Sequence, residues 1–261
     1  MKGFGLCESR DRVVQLLGGP LRSGEVGISY SDENAFVPSA DQQALIQYHW
    51  TACLRAAEAN ARPAYDGCLL RLASFEPHER GVTLHTGPTT YSAYTAAQAL
   101  AAAGRDRPDP IGTAIIVETA DDCVLVGRRS ARVAHNPGRY FGFGGLCDPT
   151  MDRNTSGHID LFLSAARELC EESGMDVEPR GLLCVGLFYD LVNPHPELCF
   201  STQLQWTARQ CFERMRLEPA EVDSIEAVPI GSLRDFLRRR EPQICETFVA
   251  ELSAYLELRR C

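Results

Sequence analysis

Apolar residues recur at helical spacing between Asp41 and Ala61, at Leu45, Tyr48, Ala52 and Ala56, and predict an amphipathic helix with Asp41 as its N-cap. His49 and Trp50 fall on it and read as core or interface residues. The period then shortens. Cys68 to Phe75 and Gly81 to Thr86 read as two strands of a hairpin, joined by the turn-prone Glu76-Pro77-His78-Glu79-Arg80. After Gly87-Pro88, Thr89 to Tyr94 leads into an alanine-rich helix ending near Gly104, and Gly104 to Pro110 has the composition of a linker. A second hairpin follows, from Gly112 to Glu118 and Cys123 to Val126 with a turn at Ala120-Asp121-Asp122. Tyr140 to Phe143 forms a short aromatic strand, and Leu182 to Leu187 and Leu198 to Trp206 are further strands. Helices are expected over Ile230 to Arg240 and Ile244 to Leu258. Residues 1–40 carry only short apolar pieces such as Val13 to Leu17, with Gly18-Gly19-Pro20 and a polar stretch from Ser29 to Asn34. The pattern describes an α+β chain with an N-terminal helix and hairpin region, 1–108, followed by a second domain, 109–261.

Composition narrows the function. The 261 residues suffice for a substantial core, and a formal charge of -9 argues against a general binder of nucleic acid or of anionic membranes. Lys2 is the only lysine, which reads as biased genome composition. Eleven cysteines without a C-x-x-C pair, several of them (Cys123, Cys170, Cys184, Cys199) in apolar runs, suggest small hydrophobes in a reducing compartment rather than a disulfide scaffold. No signal peptide or bilayer-length apolar run is present, so a cytoplasmic protein is expected.

The candidate chemistry sits at Arg167-Glu168-Leu169-Cys170-Glu171-Glu172-Ser173-Gly174-Met175. Helical spacing of three and four residues brings Glu168, Glu171 and Glu172 to one face, while Phe162, Ala166 and Leu169 lie on another that can pack on a core. Like charges at these spacings oppose the helix, and Arg167 offsets one of them. Crowded hard oxygen ligands suit magnesium or manganese. A solvated acidic face that binds nothing is the plain alternative.

The flanks weigh against that alternative. The run resembles the second half of the Nudix hydrolase signature, Arg-Glu-(apolar)-x-Glu-Glu-x-Gly-(apolar), at every fixed position. Gly144-Gly145, after the aromatic strand, resembles the glycine pair that opens it. Eight extra residues separate the halves, within the loop-like Cys147 to His158. The signature's early glutamate would fall on Ile159, beside Asp160, and Phe143 stands where proline is common. The resemblance implies an α/β/α sandwich with a mixed sheet, preceded here by an N-terminal α/β extension. It also implies a metal-dependent pyrophosphatase using Mg2+, with Mn2+ as the other candidate. It assigns Glu171, Glu172, Glu168 and the Gly144 carbonyl to the metal, with Glu168 and Glu172 catalytic and Arg167 orienting a glutamate by a salt bridge. Glu197 is the candidate for a further, distant metal ligand. Arg128 and Arg129, at a strand end near the glycine loop, can fork onto phosphate. Pieces around Leu84-His85-Thr86 to Tyr91, Arg128-Arg129-Ser130, the lengthened loop and Pro196-Glu197-Leu198 are similar to the branch that cleaves UDP-glucose and UDP-galactose. That similarity places Tyr91 with Arg128 and Arg129 at the substrate and implies UMP and a sugar 1-phosphate as products. ADP-ribose, other nucleoside diphosphate derivatives, and a non-catalytic nucleotide sensor are the alternatives. No nucleic-acid or membrane partner is expected, and self-association into a homodimer is left open.

Overall fold

A computed structural model describes residues 12–59, 64–133 and 135–260. In chain order its elements are β1 (Val13–Leu21), β2 (Val26–Tyr30), α1 (Ala40–Ala59), β3 (Cys68–His78), β4 (Gly81–Thr90), α2 (Tyr91–Thr95), α3 (Ala97–Ala102), β5 (Gly112–Glu118), β6 (Cys123–Arg129), β7 (Tyr140–Phe141), β8 (Phe143–Leu146), α4 (Leu161–Ser173), β9 (Leu183–Asp190), β10 (His195–Gln203), α5 (Ala208–Arg214), β11 (Val222–Pro229), α6 (Leu233–Arg240) and α7 (Glu246–Leu258).

Every residue of β5 is buried, as its unbroken apolar run requires of a strand covered on both faces. Ile115 and Val117 pack into one core with Leu161, Phe162 and Leu169 of α4. Ile116 faces the opposite core, made with Leu233 and Phe236 of α6 and Phe248 and Leu252 of α7. The sheet through β5 therefore lies between α4 on one side and α6 and α7 on the other. Its order is β1-β9-β10-β5-β6-β11, with β7 joined to β6 and β8 to β5. The β10–β5 pair is parallel and the other pairs are antiparallel, so the sheet is mixed, as expected.

A second sheet, β2-β4-β3, presents Leu70, Leu72, Val82 and Leu84 to the α4 core. Phe36, Ile46, Ala93, Ala96 and Leu100 form a separate small cluster among the helices of this region. The predicted hairpin is therefore present, but it is two-thirds of a sheet whose third strand, β2, was not anticipated. β1, the other unforeseen N-terminal strand, does not join this sheet. It pairs antiparallel with β9, so the large sheet draws one strand from before residue 108.

Several local expectations change. Ser39 caps α1: its Oγ accepts from the Gln42 N–H at 3.4 Å while Gln42 Oε1 accepts from the Ser39 N–H at 2.8 Å, leaving Asp41 in the first turn. The predicted end of that helix, 60–61, lies outside the described residues. The alanine-rich helix is broken at Ala96 into α2 and α3. A helix over Ile230 to Arg240 begins instead with a 3-10 turn, Ile230–Ser232. The expected linker is tied down: Tyr189 Oη donates to Asp109 at 2.6 Å, Arg107 stacks over the Tyr189 ring at 4.9 Å, and Arg71 pairs with Asp106. Cys184 and Cys199 are buried free thiols as their apolar settings suggested, whereas Cys170 is exposed on α4.

Candidate active site

α4 begins where Asp160 accepts hydrogen bonds from the Phe162 and Leu163 N–H groups and ends at Gly174, whose φ of 70° is the left-handed conformation that glycine adopts without steric cost. Its apolar stripe fixes its rotation on the sheet, and that rotation aims Glu168 and Glu172 at β8. Glu172 is 4% exposed, and its Oε2 accepts from the Gly144 N–H at 2.9 Å. The Glu168 carboxylate lies over Gly145 so closely that a Cβ on Gly145 would collide with it. A Cβ on Gly144 would strike the backbone carbonyl of Thr113 on β5. Both glycines are thus needed for close approach: the first to β5, the second to the acidic helix. Glu171 points elsewhere, its side chain 53% exposed.

Arg167 holds this face in order. Its Nη1 lies 2.9 Å from both Glu168 Oε1 and Glu171 Oε2. The fork's other edge grips Asp152, with Nε–Oδ1 at 2.7 Å and Nη2–Oδ2 at 3.0 Å. Asp152 is fully buried. It comes from the eight-residue-longer loop, and its Oδ2 also accepts from the Asp148 N–H at 2.9 Å. The signature's early acidic position falls on Ile159, which is buried, beside Asp160, which caps α4, so neither pairs with Arg167, and Asp152 was not anticipated. The signal available was an acid inside the inserted loop, but only folding shows which of Asp148 and Asp152 turns inward.

Burial raises the protonation pKa of both carboxylates. Glu168 is pushed to about 7, desolvation outweighing the attraction of Arg167. Glu172 is raised well above the usual carboxylate range by desolvation, against the opposing pull of the Gly144 N–H and Arg129. Two desolvated carboxylates beside a glycine strand are hard-oxygen donors in need of positive charge, and they fit a magnesium or manganese ion. Among the described residues no three His, Cys, Asp or Glu side chains gather into a ready-made cage. Magnesium is commonly held without one, by one or two carboxylates, water and phosphate oxygens.

These groups open onto a cleft of about 850 Å³. Arg129 and Glu197 line it, as does Tyr91 from the N-terminal part of the chain. Arg129 crosses the Phe141 ring at 4.8 Å and donates from Nε to the His135 carbonyl at 3.1 Å. Arg128 does not line the cleft. Alternation along β6 turns it to the exposed side, where its Nε donates to the Gly138 carbonyl. Glu197 is the third residue of β10, which begins earlier than expected at His195; it is paired in register with Gly112, and its Oε2 lies 3.4 Å from His195 Nε2. Glu197 shares the face of Cys199, which belongs to the α7 core, while Leu198 and Phe200 belong to the α4 core. It therefore stands on the face of the sheet opposite α4, beside Gly112 of β5. The structure brings Gly144, Arg167, Glu168, Glu171, Glu172, Glu197, Arg129 and Tyr91 to one cleft and leaves Arg128 out.

No family model matches the sequence, and no curated protein does. Solved structures similar to this chain include the NUDIX hydrolase from Alicyclobacillus acidocaldarius, 20% identical over 56% of this chain and 90% of that one, with a TM-score of 0.43. The NUDIX domain of Shewanella oneidensis NrtR, complexed with ADP ribose, is 16% identical over 61% of this chain and 96% of that one, with a TM-score of 0.42. The MutT protein from Methanosarcina mazei Go1 is 15% identical over 58% of this chain and 95% of that one, with a TM-score of 0.40. Likeness at this level assigns neither an activity nor a residue role to the chain.

Proposed function

We propose that the chain is a divalent-cation-dependent hydrolase of the Nudix kind that cleaves the pyrophosphate of a nucleoside diphosphate joined to another group. The observation that carries this reading is the pairing of α4 with the glycine strand. Glu172 is hydrogen-bonded to Gly144, Glu168 nests on Gly145, and both are stripped of water at the wall of a cleft large enough for a nucleotide derivative. Glu168, Glu172 and the Gly144 carbonyl would hold magnesium or manganese, with the more exposed Glu171 joining from the rim, and Glu197 would offer a further metal-binding carboxylate from the far side of the same cleft. When bound, such an ion neutralises the diphosphate and lowers the pKa of a coordinated water.

The chain's own residues supply the rest. Asp152 and Arg167 fix the Glu168 rotamer, so the carboxylate that would take the proton of an attacking water is held in place before substrate arrives. Arg129 supplies a guanidinium at the cleft wall for a phosphate oxygen. Tyr91 adds an aromatic surface to the cleft from the N-terminal part of the chain, suited to cover a base or sugar. Within this class we favour UDP-glucose or UDP-galactose, split to UMP and the sugar 1-phosphate. The sequence similarities around Tyr91 and Pro196-Glu197-Leu198 support that choice, since both segments reach the cleft.

The test is a panel of nucleoside diphosphate sugars, ADP-ribose and dinucleotides, incubated with the purified protein and Mg2+ and followed by product identification. UMP with hexose 1-phosphate is expected. AMP with ribose 5-phosphate would move the substrate to ADP-ribose. A panel left intact, with tight binding of one member, would make the protein a sensor.

A further inference from the structure

On the α7 side of the glycine strand the cleft contains a carboxylate that the proposed chemistry does not use. Glu251 is 1% exposed, and its Oε1 has no hydrogen-bond partner. It lines the same cleft as Glu197, Asp190 and His195. Its neighbours are differently served. Asp190 Oδ1 accepts from the Val192 and Asn193 N–H groups at 2.7 and 3.0 Å. Glu197 lies against His195, whose Nδ1 is 2.6 Å from the Asn193 carbonyl. Glu251 gains nothing similar. The charges acting on it are those of Glu197 and Asp190, both negative, and no cationic side chain figures among them.

A buried carboxylate without a donor or counter-charge is costly, and protein folds retain one where something else completes it. The completing group has to enter through the cleft and has to suit oxygen ligands from two separate elements, α7 and β10. A hard divalent ion meets both conditions. We propose that Glu251 and Glu197 together hold a divalent cation, magnesium or manganese, on the α7 face of the glycine strand, its other ligands being water and phosphate oxygens of the substrate. The site rests on the reading of the cleft as a cation-dependent pyrophosphatase, and it adds a ligand that the sequence motif does not contain. Ions on both sides of the strand would bracket the diphosphate: one from Glu168 and Glu172, one from Glu251 and Glu197.

Manganese binding to the full-length protein, followed by electron paramagnetic resonance at neutral pH without substrate, tests this. Wild type, E251Q, E197Q and E172Q are compared, with melting temperature as the control for folding. E251Q and E197Q should each weaken the same class of bound Mn2+ by about tenfold or more, and E172Q should weaken a different class. E251D, which keeps the charge but shortens the reach, should weaken the same class as E251Q, and it serves in place of E251Q if the amide fails to fold. Unchanged Mn2+ binding in the Glu251 variants, with binding in E172Q lost, would overturn this site alone and make Glu251 a buried neutral acid. A wild-type protein that binds no Mn2+ would overturn the proposed function as well.

Discussion

Burial strips water from both inward-facing carboxylates of α4, and the resulting pH dependence has a definite sign. Glu168 titrates near 4.5 when unfolded and near 7 when folded, so folding favours its protonated form. That preference stabilises fully below pH 4.5 and is lost as pH rises through 7, a change on the order of 3 kcal/mol. Metal-free protein should therefore melt at a lower temperature at pH 7.5 than at pH 5. Added Mg2+ should raise the melting temperature more at pH 7.5, because protons no longer compete for the carboxylate. A melting temperature that is flat across this range in EDTA would contradict the burial of Glu168. Glu172→Gln keeps the shape while removing the charge: turnover should fall by at least about 100-fold with the melting temperature unchanged or higher. Asp152→Ala instead leaves Arg167 partly buried without its best partner. Loss of one member of such a pair costs about 3–5 kcal/mol, or roughly 10 °C, and calorimetry showing no shift would refute the bridge's role.

At the scale of elements, α4 and β8 form the working unit, and the contact between them leaves no room for a methyl group. Gly145→Ala should displace the Glu168 carboxylate, weakening Mg2+ binding and turnover while the chain still folds, as circular dichroism would show. Gly144→Ala presses on backbone, which cannot rotate away, and should lower the melting temperature as well. The long, strongly patterned elements were legible in the sequence. α1, β3, β4, β5, α4 and α7 announce themselves by period and by flanking turn residues. β2 and β11 did not, because Val26–Tyr30 and Val222–Pro229 mix polar and apolar residues at half-exposed positions, and their partners β4 and β6 are far away in sequence. The same limit explains Arg128 and Arg129. Adjacent in the chain and alike in chemistry, they point to opposite sides of β6, and only the strand's placement tells which one reaches the cleft.

At the scale of the whole molecule, β1 ties residues before the expected boundary at 108 into the sheet that follows it. Arg12, just before β1, also reaches Glu246 of α7 at 3.2 Å. A chain of residues 109–261 would bare the edge of β9, and it should melt lower and associate, as size-exclusion chromatography would detect. A monodisperse fragment of full stability would show that the second domain stands alone. Among the described residues no helix is long and apolar enough to cross a membrane. By itself the sequence determined the helix that carries the carboxylates, the glycine pair and their order, because local spacing and backbone sterics suffice for these. The tertiary structure decided that Asp152 turns inward to pair with Arg167, that Glu171 turns toward solvent, and that Glu197 and Glu251 line one cleft. Such placements bring together residues separated by other elements or by a loop, and they follow from desolvation and close packing, which no stretch of sequence displays.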